Sequence, residues 1–158
     1  MGHIKNQDLK DNIMGDFARE INSKFPDERI KAMLNVVYTS NWIVSLQNEA
    51  FKPFGISPQQ YNILRILRGA GEPLKVQTIK ERMIERSPNA TRLMDKLCAK
   101  ELIKRFNCDS DRRVVYVEIN KKGLDLVQEI VEKEDASLWE KLTETEAKTL
   151  NKLLDKMR

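Results

Sequence analysis

A chain of 158 residues, 41% hydrophobic and 33% charged, can bury one core beneath a heavily charged surface, which excludes a disordered or membrane-embedded protein. No apolar run approaches the roughly 18 residues that cross a bilayer, and Met1 to Asn6 lacks the apolar centre of a secretory signal, so a cytoplasmic location is expected. The formal net charge of +4 is unevenly spread, because Lys75 to Lys122 holds 13 Lys/Arg against 7 Asp/Glu while the rest of the chain holds 15 against 17. A basic segment between near-neutral flanks suits a nucleic-acid surface, where neutralised phosphates supply much of the affinity.

Leu9, Ile13, Phe17 and Ile21 recur every four residues, so an amphipathic helix is expected over roughly residues 6 to 23, before Pro26. Asp27 can cap a longer second helix reaching Phe51, where Pro53 and Gly55 end it. Its apolar residues, from Ile30 and Met33 through Val37, Trp42 and Leu46, cover more than one stripe. Such a helix meets both its own fold and a partner chain. Ser57, Pro58 and Gln60 form a helix start with a capping box, and that helix should run to about Arg68 before the turn Gly69 to Pro73.

A short helical stretch through Val76, Ile79 and Met83 follows, and Ser87-Pro88 opens another helix with Ala90, Leu93, Met94 and Leu97 facing inward. Two short helices across a tight connection outline a helix-turn-helix. Ile103 to Asn107 and Val114 to Ile119 are β-prone runs around the polar turn Cys108 to Arg113, which makes a hairpin wing. Asn120 can cap a long helix through Leu124, Val127, Ile130, Val131 and Leu138, and Thr143 with Glu146 opens a last one carrying Leu150, Leu153, Leu154 and Met157 on one face. The expected fold is mainly α with a small β-hairpin wing: a winged helix-turn-helix over 55–119, with helical dimerisation regions at 1–54 and 120–158.

The order of elements and several local strings resemble the MarR family of bacterial transcription regulators. Pro88 to Leu97, with the Thr91-Arg92 pair followed by Asp95-Lys96, resembles the family's recognition helix. Leu102 to Arg105 resembles the entry to the wing, and Asp109 to Arg113 with Ile119 to Gly123 resembles the wing signature and the next helix. Gln59-Gln60-Tyr61 and Leu64 match the preceding helix. Three positions depart from the pattern: Glu101 where Gly is usual, Lys75 where Ser or Thr caps, and Asn120 where Thr is usual. Glu101 therefore either avoids a positive φ or carries strain, and Lys75 implies a differently capped helix.

On the recognition helix, Asn89, Arg92 and Lys96 share one outward face, with Thr91 beside them. Asn pairs with adenine and Arg with guanine through two hydrogen bonds each, whereas Lys96 suits a phosphate and Thr91 a thymine methyl or a phosphate. The resemblance implies that a wing arginine, oriented by a neighbouring aspartate, enters the minor groove; strand alternation assigns this first to Arg112 and second to Arg113. It further implies a homodimer, a repressor on palindromic operators, and release by a small aromatic acid near Tyr38, Trp42, Tyr61 and Arg65. Core packing is the competing explanation of those aromatics. A winged-helix scaffold for protein or RNA remains the alternative function.

An enzyme fits poorly, since the single His3 and the two cysteines, Cys98 and Cys108, offer neither a catalytic constellation nor a zinc ligand set, and no cofactor or metal is called for. The resemblance places the reactive cysteine of hydroperoxide sensors near the amino terminus, where this chain has none. Cys108 lies near Lys104 and Arg105, which could favour its thiolate.

Overall fold

The computed structural model describes residues 17–85, 89–133 and 141–158. Its element order is α1 (Phe17–Glu20), α2 (Glu28–Phe51), a 3-10 turn (Lys52–Phe54), α3 (Pro58–Ala70), β1 (Leu74–Lys75), α4 (Val76–Arg82), α5 (Ala90–Ala99), β2 (Ile103–Asn107), β3 (Val115–Ile119), α6 (Lys121–Lys133) and α7 (Glu144–Met157). Two compact units emerge, one ending at Glu49 and the other running from Ala50 to Arg158.

In the first unit, Phe17 is buried between Phe25, 5.4 Å away and stacked, and Tyr38, 5.2 Å away and tilted. Leu9 and Ile13 of the expected first stripe lie outside the described residues. Asp27 caps α2 as its sequence suggests, with Oδ1 accepting the Arg29 and Ile30 N–H groups at 2.7 and 3.0 Å. The helix then leaves Met33, Val37, Trp42 and Val44 about half exposed.

The second unit holds the main core. Ile63, Leu64, Leu67, Ile79, Met94, Leu97, Ile103, Val117 and Val127 are fully buried there. Each such side chain stabilises the fold by about 1.5–3 kcal/mol relative to exposure, before entropy is charged against it. The capping box of α3 is formed: Ser57 Oγ accepts the Gln60 N–H at 3.2 Å and Gln60 Oε1 accepts the Ser57 N–H at 3.0 Å. Helix α3 continues through Gly69 to Ala70, past the expected Arg68, because Gly71, not Gly69, takes the left-handed cap at φ 68°.

One strand was not foreseen. β1 pairs antiparallel with β3, Leu74 opposite Val117 and Lys75 opposite Tyr116, giving the sheet order β1-β3-β2. This accounts for Lys75, whose extended backbone belongs to the sheet and whose side chain makes no capping bond to α4. In the hairpin, Ile103 faces Ile119 and Asn107 faces Val115, and Phe106 stacks on Tyr116 at 5.9 Å.

Helix α6 sits against the start of the wing through Gly123. A Cβ there would come within 2.3 Å of the Leu102 carbonyl oxygen, so the close approach requires glycine. Of the face expected on this helix, Val127 and Ile130 are buried, Leu124 and Val131 are about 40% exposed, and Leu138 lies outside the described residues. Thr143 and Glu146 form the second capping box, opening α7.

Candidate nucleic-acid interface

The inward face of α5 fixes its outward one. Ala90, Met94 and Leu97 are wholly buried, with Leu93 packed against the same core, so Thr91, Arg92, Asp95 and Lys96 are turned to solvent. Asn89, the third residue of the expected stripe with Arg92 and Lys96, is exposed at the N-cap of α5 rather than inside the helix. Ser87 and Pro88, the expected helix start, lie outside the described residues.

The segment entering α5 is tied to α3. Asn62 Oδ1 accepts the Ile84 N–H at 3.2 Å, and Gln59 Nε2 donates to the Glu85 carboxylate at 3.0 Å. Met83 is buried just before these bonds, whereas the Ile84 side chain is 90% exposed.

Arg105 joins the wing to α5, a contact the sequence reading missed. Its Nη1 donates to Asp95 Oδ1 at 2.6 Å and its Nη2 to the Thr91 carbonyl at 2.9 Å. The side chain is three-quarters covered, and its Nε is buried without a hydrogen-bond partner among the described residues. Two pairing bonds from a planar fork fix the direction of β2 relative to the helix, which a single ammonium could not do. The signal was available in the ten-residue separation of Asp95 and Arg105, but a basic residue within a short strand reads equally well as solvated. Lys104, on the opposite face of the strand, pairs with Glu118 at 3.0 Å.

The wing tip differs from the expectation of strand alternation. Val114 N–H donates to the Asp111 carbonyl at 2.9 Å, so Arg112 and Arg113 are the two central residues of a β-turn rather than consecutive strand residues. The aspartate orients Arg113 and not Arg112: Asp111 Oδ1 accepts the Arg113 backbone N–H at 3.0 Å and Nε at 3.1 Å, with Nη2 3.3 Å from Oδ2. The Arg113 guanidinium holds the Asp111 carboxyl below its usual range. Arg112 contributes its carbonyl, which accepts from Asn107 Nδ2 at 2.9 Å.

The connection from α5 into the wing requires left-handed backbone. Glu101 has φ 59°, so the non-glycine residue at this place does carry strain. Its N–H donates to the Cys98 carbonyl at 2.8 Å, and its own carbonyl accepts from Asn120 Nδ2 at 3.1 Å. Lys122 adds an exposed ion pair to the Glu101 carboxylate at 3.2 Å.

The four residues expected near an effector fall in different units, Tyr38 and Trp42 in the first and Tyr61 and Arg65 in the second. Tyr38 packs on Phe17, and its hydroxyl is pushed up by hydrogen bonding to the Glu20 carboxylate and by that carboxylate's charge. Trp42 is 45% exposed. Tyr61 is a core residue, its ring 4.6 Å from Phe51, with Arg65 lying 5.9 Å above it. The Tyr61 hydroxyl and the Gln60 side-chain amide nitrogen are buried without hydrogen-bond partners among the described residues. In the same set of residues, no three His, Cys, Asp or Glu side chains are grouped to hold a metal, and no helix is long and apolar enough to cross a membrane.

The sequence model of the MarR family matches residues 56–115, which run from the start of α3 to the start of β3. A MarR transcription factor from Planctomyces limnophilus is 30% identical, covers 85% of this chain and 98% of its own, and superposes with a TM-score of 0.64. The transcriptional regulator MhqR of Bacillus subtilis is 31% identical over 83 residues, 52% of this chain; the match spans 57% of that protein's length. A mutant MarR from E. coli complexed with operator DNA shares the fold at a TM-score of 0.68 and 23% identity, with 90% of this chain and 99% of that one aligned. With the family model falling on α3, α5 and the wing as far as the start of β3, and the Planctomyces limnophilus protein 30% identical over 85% of the chain, the chain belongs to the MarR family of transcription regulators.

Proposed function

We propose that the protein is a sequence-specific DNA-binding repressor that acts in the cytoplasm as a homodimer on palindromic operators. The observation that carries this reading is the exposed polar face of α5, Asn89, Thr91, Arg92 and Lys96, with the wing strapped beside it by Arg105. Arg92 is positioned to read a guanine edge and Asn89 an adenine edge in the major groove, while Lys96 neutralises a phosphate. Arg113, fixed by Asp111, fits a narrow minor groove better than Arg112, because an oriented guanidinium loses less freedom on entry. A winged-helix scaffold would have no use for this alignment. The operator DNA bound by the E. coli relative supports duplex DNA as the partner.

The reading includes release by a small aromatic acid. It is supported by the unpartnered Tyr61 hydroxyl and by the Arg65 guanidinium exposed over the same ring, a cation beside an aromatic wall. A panel of aromatic carboxylates should include one that weakens DNA binding by the wild type and not by Arg65→Ala; a panel without effect removes this effector class.

Selection of bound sequences from a pool of random duplexes, followed by a salt titration, tests the function. The expected result is an enriched imperfect palindrome with half-sites about one helical turn apart. Its affinity should fall steeply with salt, by a slope of about 0.9 for each neutralised phosphate. No enrichment, or equal binding to scrambled duplexes, would overturn sequence-specific recognition and return the scaffold reading.

A further inference from the structure

We propose that Ile84 is a specificity-determining residue, whose side chain meets the C5-methyl group of a thymine in the major groove. The proposal rests on the DNA-binding reading above. Ile84 is 90% exposed, whereas the next most exposed large hydrophobic among the described residues, Met157, is 56% exposed. A lone exposed apolar residue on a surface is ordinary by itself. Here two further observations bear on it.

The first is that its main chain is pinned. Asn62 Oδ1 accepts the Ile84 main-chain N–H, and Gln59 reaches the side-chain carboxylate of the next residue, Glu85, so both partners lie on α3. Met83, immediately before, is locked into the core. With its main chain held at this point, the isoleucine side chain stands in solvent, and another molecule that covers it would remove its apolar surface from water.

The second is its place in the chain. Ile84 lies five positions before Asn89, and five residues span at most about 18 Å. At a rise of about 3.4 Å per base pair this is at most roughly five base pairs, so Ile84 is within reach of the half-site that the amino-terminal turn of α5 would occupy. Along the chain, the partly exposed Lys80 and the exposed Arg82, which alternate with Glu81 and Glu85, precede Ile84, and the exposed Arg92 and Lys96 of α5 follow it. A protein partner with a matching apolar pocket would meet this charge as well, whereas duplex DNA presents phosphates to it. In the major groove, the apolar group a base edge offers is the thymine methyl.

The test uses the full-length dimer and a duplex enriched by selection. Thymines are replaced by deoxyuridine, which removes only the methyl group, one symmetry-related pair at a time, and binding of the wild type and of Ile84→Ala is measured on each duplex. Because Ile84 is exposed, the variant keeps its fold, which its unfolding curve verifies.

One symmetric pair of replacements should weaken the wild type by about fourfold per half-site, the equivalent of one buried methyl group. Ile84→Ala should lose the same on the thymine duplex and nothing more on the deoxyuridine one. An Ile84→Ala variant that binds as the wild type does overturns the proposal alone. So does one that binds more weakly but is coupled to no thymine, which would assign Ile84 to a deoxyribose. Failure to enrich any duplex removes the DNA-binding reading and this proposal together.

Discussion

Cys98 and Cys108 sit in opposite settings. Burial pushes the Cys98 thiol up, with Arg105 opposing and Asp95 adding to the effect. Cys108 is lowered, first by the Ser110 hydroxyl 3.1 Å from its sulfur and then by backbone N–H groups of Asp111 and Ser110. Lys104 and Arg105, the basic neighbours that the sequence suggests, are not the source: they are engaged with Glu118 and Asp95. Cys108 should therefore be alkylated before Cys98 at neutral pH, and Ser110→Ala should move the midpoint of its pH–reactivity profile upward. An unmoved profile would remove the hydroxyl as cause.

Asp111 makes a second residue-scale case, because its folded carboxyl is depressed by Arg113. A depressed carboxylate contributes its pairing above the ordinary value and loses it as pH falls through the lowered one, so the Asp111–Arg113 pair is held at neutral pH and lost in acid. In a carboxyl NMR titration, Arg113→Ala should return Asp111 upward. How far the arginine roles were legible follows from the backbone. Alternation, on which the expectation for Arg112 rests, holds only on a strand, whereas the pair occupies a turn in which Asp111 holds Arg113; that pairing is why the proposed function gives Arg113 the minor groove.

At the scale of elements, the helices with local signals were legible: Asp27, Ser57 with Gln60, and Thr143 with Glu146 cap their helices through bonds within three residues. β1 was not, because a two-residue strand has no period and its pairing with β3 spans about forty residues of chain. Arg105 was missed for the same reason, its partners being on another element.

Two substitutions test the joints between elements. Gly123→Ala drives a methyl into the Leu102 carbonyl and should destabilise by about 1–3 kcal/mol in denaturant unfolding. Glu101→Gly relieves a left-handed residue at a cost of about 1–2 kcal/mol, offset by the entropy of glycine, so a net gain of roughly 0.5–1 kcal/mol is expected. An equal or lower stability for Glu101→Gly would show that the Lys122 ion pair, lost with the carboxylate, compensates the strain.

The whole molecule joins a basic central segment to helices whose apolar faces are incompletely covered. Met33 and Val37 on α2, and Leu153 and Met157 on α7, are each more than half exposed. Burying them in a two-fold assembly is the simplest physical resolution and belongs to the proposed homodimer. Removing residues 143–158 should convert a sedimenting dimer into a weaker, concentration-dependent one. A truncated chain that dimerises as before would take α7 out of the interface.

The central claim is that the α5 face reads base sequence, and the most direct test is the position-by-position binding profile of Arg92→Ala on the selected duplex. Loss of about 1–3 kcal/mol, with preference relaxed at one base pair in each half-site and retained elsewhere, is the predicted result. Lys96→Ala in the same measurement should weaken all sequences alike and flatten the salt dependence. An Arg92→Ala profile that keeps every base preference of the wild type, whatever its overall affinity, would contradict the account.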